Sequence, residues 1–261
     1  MKALILAAGQ GSRLRPLTDD IPKCLVELGG KSLLERQATV LRRAGIRDII
    51  VVSGYRADQI AARGFATRVN PRYATTNMVA TLFCAADLLS GSDDLLICYG
   101  DIVYEGRVLA ALLAGEAPFT VMIDRQWLRY WRLRLEDPLT DAETLKLGPG
   151  GRLRELGKKP RDYSEIEGQY MGLIKVRADH VERLREVYGS MDRAAAYDGK
   201  DFDNMYMTSF IQYLIDHGWD VRIAETDNGW LEVDSVSDLR RYEAMAADGT
   251  LAPFYDLRET T

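Results

Sequence analysis

Lys2-Ala3-Leu4-Ile5-Leu6-Ala7-Ala8-Gly9-Gln10-Gly11-Ser12-Arg13-Leu14-Arg15-Pro16-Leu17-Thr18 opens the chain, and Ile21-Pro22-Lys23 follows closely. A short apolar run ending in glycine reads as a buried strand entering a loop. Glycines at the C-terminal end of a parallel strand let backbone N–H groups approach a phosphate, although a tight turn also uses glycine. The dinucleotide fingerprint fails on spacing, because its third glycine would fall on Leu14. The P-loop fails as well: Gly30-Lys31-Ser32 opens a helix, but the first glycine of that motif would fall on Leu25. What remains is Gly-x-Gly with Arg13 and a Pro22-Lys23 pair. Two cations beside a glycine loop suit a triphosphate, Arg13 as a bidentate donor and Lys23 as a point charge. Pro22 stiffens the backbone before Lys23.

Outward from the loop, the pattern alternates. Ser32 caps a helix from about Leu33 to Ala44, with Glu35 as the capping-box partner and Gly45 as the stop. Asp48–Ser53 is a second buried strand, so strand, helix and strand predict parallel pairing with a right-handed crossover. A short helix near Asp58–Ala62, a strand Phe65–Val69 and a helix around Met78–Leu89 follow. Asp94–Cys98 is a further buried strand ending at Tyr99-Gly100-Asp101. Val108–Ala114 reads as helix and Phe119–Ile123 as strand. Such alternation argues an α/β fold with a mostly parallel sheet. From Arg125 to Gly172 the texture changes: Trp127, Tyr130, Trp131, Leu133 and Leu135 interleave with charges, and Gly148-Pro149-Gly150-Gly151 makes a turn. This predicts antiparallel strands over the sheet edge. Strands at Tyr170–Val176, Trp219–Ala224 and Trp230–Val233, and helices at Ala178–Tyr188, Met205–His217 and Asp238–Ala246, complete the expectation. The reading is one domain over 1–261, with an inserted lobe at approximately 125–172.

Composition narrows the function. The 261 residues are 47% hydrophobic and 28% charged, as expected of a globular chain that buries a sizeable core. A net charge of -5 supplies no general footprint for nucleic acid. Cys24, Cys84 and Cys98 have no paired spacing, and His180 and His217 lie far from them, which disfavours a disulfide framework or a Cys/His zinc site. The opening apolar run is far below the ~18 residues of a membrane span and lacks a signal-peptide cleavage pattern. The expectation is a cytoplasmic protein that binds small molecules, with no nucleic-acid or membrane partner and a homodimer left open.

Leu6-Ala7-Ala8-Gly9-x-Gly11-x-Arg13-Leu14-x-Pro16-x-Thr18 followed by Pro22-Lys23 resembles the signature of nucleotidyltransferases that activate sugar phosphates, phosphocholine and phosphonates. The match is specific in the first 25 residues, with weaker support along nearly the whole chain. The resemblance implies a Rossmann-like three-layer sheet. It also implies transfer of a nucleoside monophosphate from an NTP to a phosphate or phosphonate oxygen, with release of pyrophosphate. By the same resemblance Gly9, Gly11 and Arg13 wrap the triphosphate and Lys23 faces the α-phosphate. Leu6, Ala8, Ser12, Asn77 and Gly100 join the nucleotide site, Ala8 lying near the base. Asn77 is equally placed to cap a helix.

Phosphoryl transfer needs positioning and neutralised charge, usually through Mg²⁺, which prefers oxygen ligands. Asp101 follows a buried strand, at the sheet edge where α/β folds bind ligands. Glu232 and Asp234 are two apart on an extended stretch and share a face. Resemblance places Asp101 at the family's first metal aspartate and Asp234, with Glu232 in reserve, at the second. The segment Glu232-Val233-Asp234-Ser235 departs from the sugar-type Trp-x-Asp-x-Gly-Thr. It looks more like the phosphocholine and phosphonate cytidylyltransferases. Lys158, in Gly157-Lys158-Lys159-Pro160, stands where sugar enzymes carry a glutamate, and suits an anionic acceptor. Trp127, Tyr130 and Trp131 could cage a quaternary ammonium by cation–π attraction or fill a small core. Arg129 and its neighbouring arginines favour a phosphonate. The combined expectation is a CTP- and Mg²⁺-dependent cytidylyltransferase. Its acceptor is a 2-aminoethyl- or 2-hydroxyethyl-type phosphonate, or phosphocholine, bound by Lys158, Trp127, Arg129, Tyr130 and Trp131. A sugar-1-phosphate nucleotidylyltransferase and a non-catalytic nucleotide sensor are the rivals.

Overall fold

The computed structural model describes residues 1–91 and 93–260. Strand β1 (Lys2–Ala7) is the opening apolar run. Its side chains alternate between two cores: Ala3 and Ile5 face one, Leu4 and Leu6 the other. A strand buried on both faces reads as a continuous apolar run. Each leucine or isoleucine buried in this way contributes about 1.5–3 kcal/mol.

After a tiny hairpin of β2 (Glu27–Leu28) and β3 (Lys31–Ser32), helix α1 (Leu33–Arg43) starts at the expected capping box of Ser32 and Glu35. Then come β4 (Asp48–Ser53), α2 (Ala57–Ala62), β5 (Ala66–Val69), α3 (Met78–Phe83), β6 (Leu95–Tyr99), β7 (Ile102–Tyr104), α4 (Gly106–Leu113) and β8 (Phe119–Asp124). The second half adds α5 (Trp127–Arg134), β9 (Leu145–Gly148), β10 (Arg152–Leu156), β11 (Gln169–Val176), α6 (Ala178–Ser190), α7 (Met207–Asp216), β12 (Val221–Thr226), β13 (Trp230–Glu232) and α8 (Val236–Asp248). Nine strands form one sheet in the order β5-β4-β1-β6-β11-β8-β12-β10-β9. Only β10 and β11 run against the rest of it. Side chains of α1, α4, α5 and α8 join the core on one face, and those of α3, α6 and α7 the core on the other. The result is the expected three-layer α/β arrangement.

Three departures from the sequence reading matter for the site. The segment after Arg125 opens as a helix, α5, not as a strand. Trp127, Tyr130 and Trp131 are spaced i, i+3, i+4, which is one face of a helix, and that period outweighs the partial alternation with charge. The expected hairpin follows as β9 and β10, but it extends the main sheet through the pairing of Arg152 with Arg222. Strand β7 was not expected at all. It pairs antiparallel with β13, Ile102 opposite Glu232.

The C-terminal tail folds back on the domain: Leu251 and Tyr255 are buried, and the Gly229 N–H donates to the Phe254 carbonyl at 2.7 Å. Among the described residues no helix is long and apolar enough to cross a membrane.

Candidate active site

The loop after β1 closes onto Lys23. Gly11 has φ of 69°, in the left-handed region that glycine occupies without strain. A Cβ there would lie 2.8 Å from the Cβ of Lys23, so the glycine lets the lysine stem lie against the loop. The Thr18 hydroxyl ties the loop by donating to the Gly11 carbonyl at 2.8 Å. Gly9 differs: a Cβ on it would meet nothing within 4 Å. The protein's own packing does not require that glycine, which leaves room for a ligand to approach the backbone.

Lys23 reaches down to the carboxyl ends of the strands. Its Nζ donates to Asp101 Oδ2 and to Asp234 Oδ1, each at 2.8 Å. Arg13 Nη1 lies 2.5 Å from Asp234 Oδ2. The β7–β13 pair brings these distant residues together, because the Val233 N–H donates to the Asp101 carbonyl at 2.9 Å. Burial by itself would lower the Lys23 pKa, but the carboxylates of Asp101, Asp234 and Glu232 hold it well above its usual value. Lys23 is therefore a fixed cation.

Carboxylate oxygens of Asp101, Glu232 and Asp234 lie within 4.8 Å of one another. Burial raises the Glu232 pKa, against the pull of Arg134, whose Nη1 sits 2.5 Å from Glu232 Oε2. Asp101 Oδ1 is buried with no hydrogen-bond partner. A buried, unpaired carboxylate oxygen is costly unless something else binds it. Three oxygen donors around one point, one of them orphaned, fit a hard divalent cation.

Above this cluster lies a cavity of about 320 Å³. Leu6, Ala8, Gly9, Gly11, Ser12, Arg13, Lys23, Asn77, Gly100 and Asp101 all line it, as does Asp234. Asn77 caps α3, its Oδ1 accepting from the Met78 N–H at 2.8 Å, and still borders the cavity. Gly100 lets β6 approach β1, since a Cβ there would lie 2.8 Å from the Leu6 carbonyl oxygen. Sequence reasoning missed Tyr73, Thr76 and Thr81 on the far wall. Buried Asn70 donates to both threonine hydroxyls at 3.0 Å, a link that no local motif signals.

A second cavity of about 250 Å³ adjoins the first across Asn77 and Met78, which line both. Glu232 opens into it, with Asp141, Glu143, Tyr170, Trp131 and Trp230 among its walls. Of the residues expected at the acceptor, one borders this cavity. Trp131 lines the cavity, but Trp127 and Tyr130 do not. Trp127 is buried against Trp131 and Tyr163. Tyr130 is fully buried, its hydroxyl 2.8 Å from that of Tyr242 and accepting from the Glu232 N–H at 2.7 Å. Arg129 lies over the Phe254 ring, 4.3 Å from its centroid. Lys158 is an exposed turn residue 3.3 Å from Glu155, outside both cavities. These four side chains serve packing and surface pairing. Asp141 and Glu143, which line the wall and were not expected there, lie in a loop stretch without a recognisable motif.

A family profile described as the MobA-like NTP transferase domain matches residues 3–161. The chain belongs to this nucleotidyltransferase family. It is 41% identical over 250 residues to the CTP:phosphoglutamine cytidylyltransferase of Campylobacter jejuni, covering 92% of this chain and 98% of that protein. It is also 41% identical over 96 residues to the choline-phosphate cytidylyltransferase of Streptococcus pneumoniae, a match to 35% of this chain and 42% of the relative. Among solved structures, the inositol-1-phosphate CTP transferase from T. maritima superposes with a TM-score of 0.73 at 19% identity, covering 94% of each chain. That likeness is one of fold.

Proposed function

We propose that this nucleotidyltransferase moves CMP from CTP to a small phosphorylated or phosphonate acceptor and releases pyrophosphate. The observation that carries the reading is that one charged cluster borders two adjoining cavities, Lys23, Asp101 and Asp234 lining the first and Glu232 the second. The glycine-loop cavity would take the nucleotide, and the second would take the acceptor. Cytidine as the base rests on the full-length relative, whose name specifies CTP.

The chemistry follows from charge. The acceptor's oxyanion is already a nucleophile, so no covalent enzyme intermediate is needed. Its attack on the α-phosphorus forms one P–O bond as the bond to the pyrophosphate leaving group breaks. Arg13 and Lys23 would turn from Asp234 and Asp101 to the phosphates and stabilise the charge that develops there. Asp101 and Asp234 would hold Mg²⁺, with Glu232 beside them fixed by Arg134. When bound, the cation neutralises charge shared by the two reactants. Gly9 and Gly11 keep side chains out of the way of the triphosphate.

The second cavity, about 250 Å³, has room for a small acceptor, such as an aminoethylphosphonate, phosphocholine or a phosphorylated amino acid amide. The first experiment is pyrophosphate release with each of the four NTPs against these acceptors, 2-hydroxyethylphosphonate and glucose-1-phosphate. The reading predicts release with CTP and at least one of the non-sugar acceptors. Release with glucose-1-phosphate alone would replace it with the sugar-phosphate reading. No release and no CTP binding would remove it.

A further inference from the structure

The acceptor cavity has a chemical bias that the reaction alone does not demand. Among the described residues it is lined by three carboxylates, Asp141, Glu143 and Glu232, and by no lysine, arginine or histidine. Glu232 is already answered by Arg134 at 2.5 Å. The other two are not. Asp141 Oδ2 accepts from the Trp131 indole N–H at 3.0 Å, and Glu143 Oε1 accepts from the Thr208 hydroxyl at 3.3 Å. Each is left with an oxygen to offer a ligand.

The seat is held in place. Gln169, itself buried, clamps the Glu143 backbone from both sides: its Oε1 accepts from the Glu143 N–H at 3.1 Å and its Nε2 donates to the Glu143 carbonyl at 2.6 Å. Strand β11 then bulges between Tyr170 and Ile174. Gly172, at φ of 82°, makes the bulge and lies so close to Tyr99 that a Cβ would meet its ring at 2.6 Å. On this bulge the Tyr170 hydroxyl is buried in the cavity wall beside Tyr99, without a well-formed hydrogen bond.

We propose that Glu143, Asp141 and Tyr170 form a seat for a primary ammonium group on the acceptor, and that this seat sets acceptor choice. The inference rests on the reading of this cavity as the acceptor site. A primary ammonium carries three N–H donors and no acceptor. Among the described residues, Glu143 and Asp141 each keep a carboxylate oxygen without a hydrogen bond in this cavity, and the Tyr170 hydroxyl lies in the same wall beside Tyr99. A quaternary ammonium has no N–H and would leave the Tyr170 hydroxyl and the Glu143 carboxylate desolvated and unpaired. A hydroxyl offers one donor and no charge. Burial, reinforced by Asp141 and Asp198 against the Thr208 hydrogen bond, also pushes the Glu143 carboxyl up to about 7, and a bound cation relieves that. The aromatic walls of Trp131 and Trp230 then fit the methylenes of a short tail.

The test compares matched acceptors: phosphoethanolamine against phosphocholine, and 2-aminoethylphosphonate against 2-hydroxyethylphosphonate. Pyrophosphate release is measured alongside calorimetric CTP binding for the wild type, Glu143→Gln and Tyr170→Phe. The expected result is a kcat/KM for the amines roughly tenfold or more above that for their partners. Glu143→Gln should raise KM for the amines about 10- to 100-fold, the range of a hydrogen bond to a charged group. The effect on kcat and on CTP affinity should be small. Tyr170→Phe removes one oxygen only and should give a smaller rise in the same direction. Equal or better use of phosphocholine, or an amine preference that survives in Glu143→Gln, would overturn the seat. CTP binding with turnover of non-amine acceptors only would overturn the seat and leave the proposed function standing. Absence of CTP binding would overturn both.

Discussion

At the scale of single residues, Lys23 is the side chain on which most converges. It is a buried cation bridging two carboxylates, on a stem that Gly11 makes room for. Lys23→Ala should lower kcat by ~10²–10³, as loss of an electrostatic stabiliser does elsewhere. CTP affinity measured by calorimetry should change much less than kcat, because Arg13 and the loop amides remain. Glu143 supplies a pH signature. Its carboxyl titrates near 7 in the free protein, facing Asp141 and Asp198, the Thr208 hydroxyl and the buried Tyr99 and Tyr170. An ammonium binds the charged carboxylate and lowers its pKa. Amine affinity is therefore full above about pH 7 and falls as the pH drops through that value. The check is KM for the amine acceptor from pH 8 to 6. The rise toward acid seen in the wild type should be absent from Glu143→Gln, which also controls for titration of the acceptor's own phosphate.

At the scale of elements, the site depends on a pairing of three residues on each strand, β7 with β13. Here the sequence was partly legible. The loop after β1, the strand ending at Asp101 and the extended Glu232–Asp234 stretch could all be read from apolar runs and turn residues. Their meeting could not, because a three-residue strand directly after a turn carries no periodic signal. The α5 aromatics were legible as a cluster that would either cage a ligand or fill a small core, but not as a helix. Their i, i+3, i+4 spacing was the available clue. Glu143, in contrast, is placed by a long-range clamp from Gln169, which no local pattern encodes. The core role of α5 is testable. Trp127→Ala should cost about 3–5 kcal/mol of stability by urea unfolding, and acceptor ranking in the folded fraction should stay as in the wild type.

At the scale of the whole molecule, the three-layer sheet sets two cavities on either side of one charged cluster. The free protein pairs the charges of that cluster internally, cations against carboxylates, and leaves the buried Asp101 Oδ1 without a hydrogen bond there. Nucleotide binding alone would draw Lys23 and Arg13 away and leave Asp101 and Asp234 facing each other. Metal binding alone would displace Lys23 into a buried site without a partner. The two should therefore bind with positive coupling. The expected outcome is CTP affinity higher with Mg²⁺ than with EDTA by roughly 5- to 150-fold, the usual span of coupling free energies. The reciprocal gain in metal affinity with CTP should be the same. Asp234→Asn, which loosens both ends of the exchange, should shrink it.

The most direct test of the account is ³¹P NMR of the protein with CTP, Mg²⁺ and phosphoethanolamine or 2-aminoethylphosphonate. The account predicts one inorganic pyrophosphate for each CTP consumed. The α-phosphorus of CTP should move into a new P–O–P linkage with the acceptor, and the signals should stay unchanged in Lys23→Ala over the same time. Release of inorganic phosphate without a new linkage, or intact CTP beside every acceptor, would contradict it.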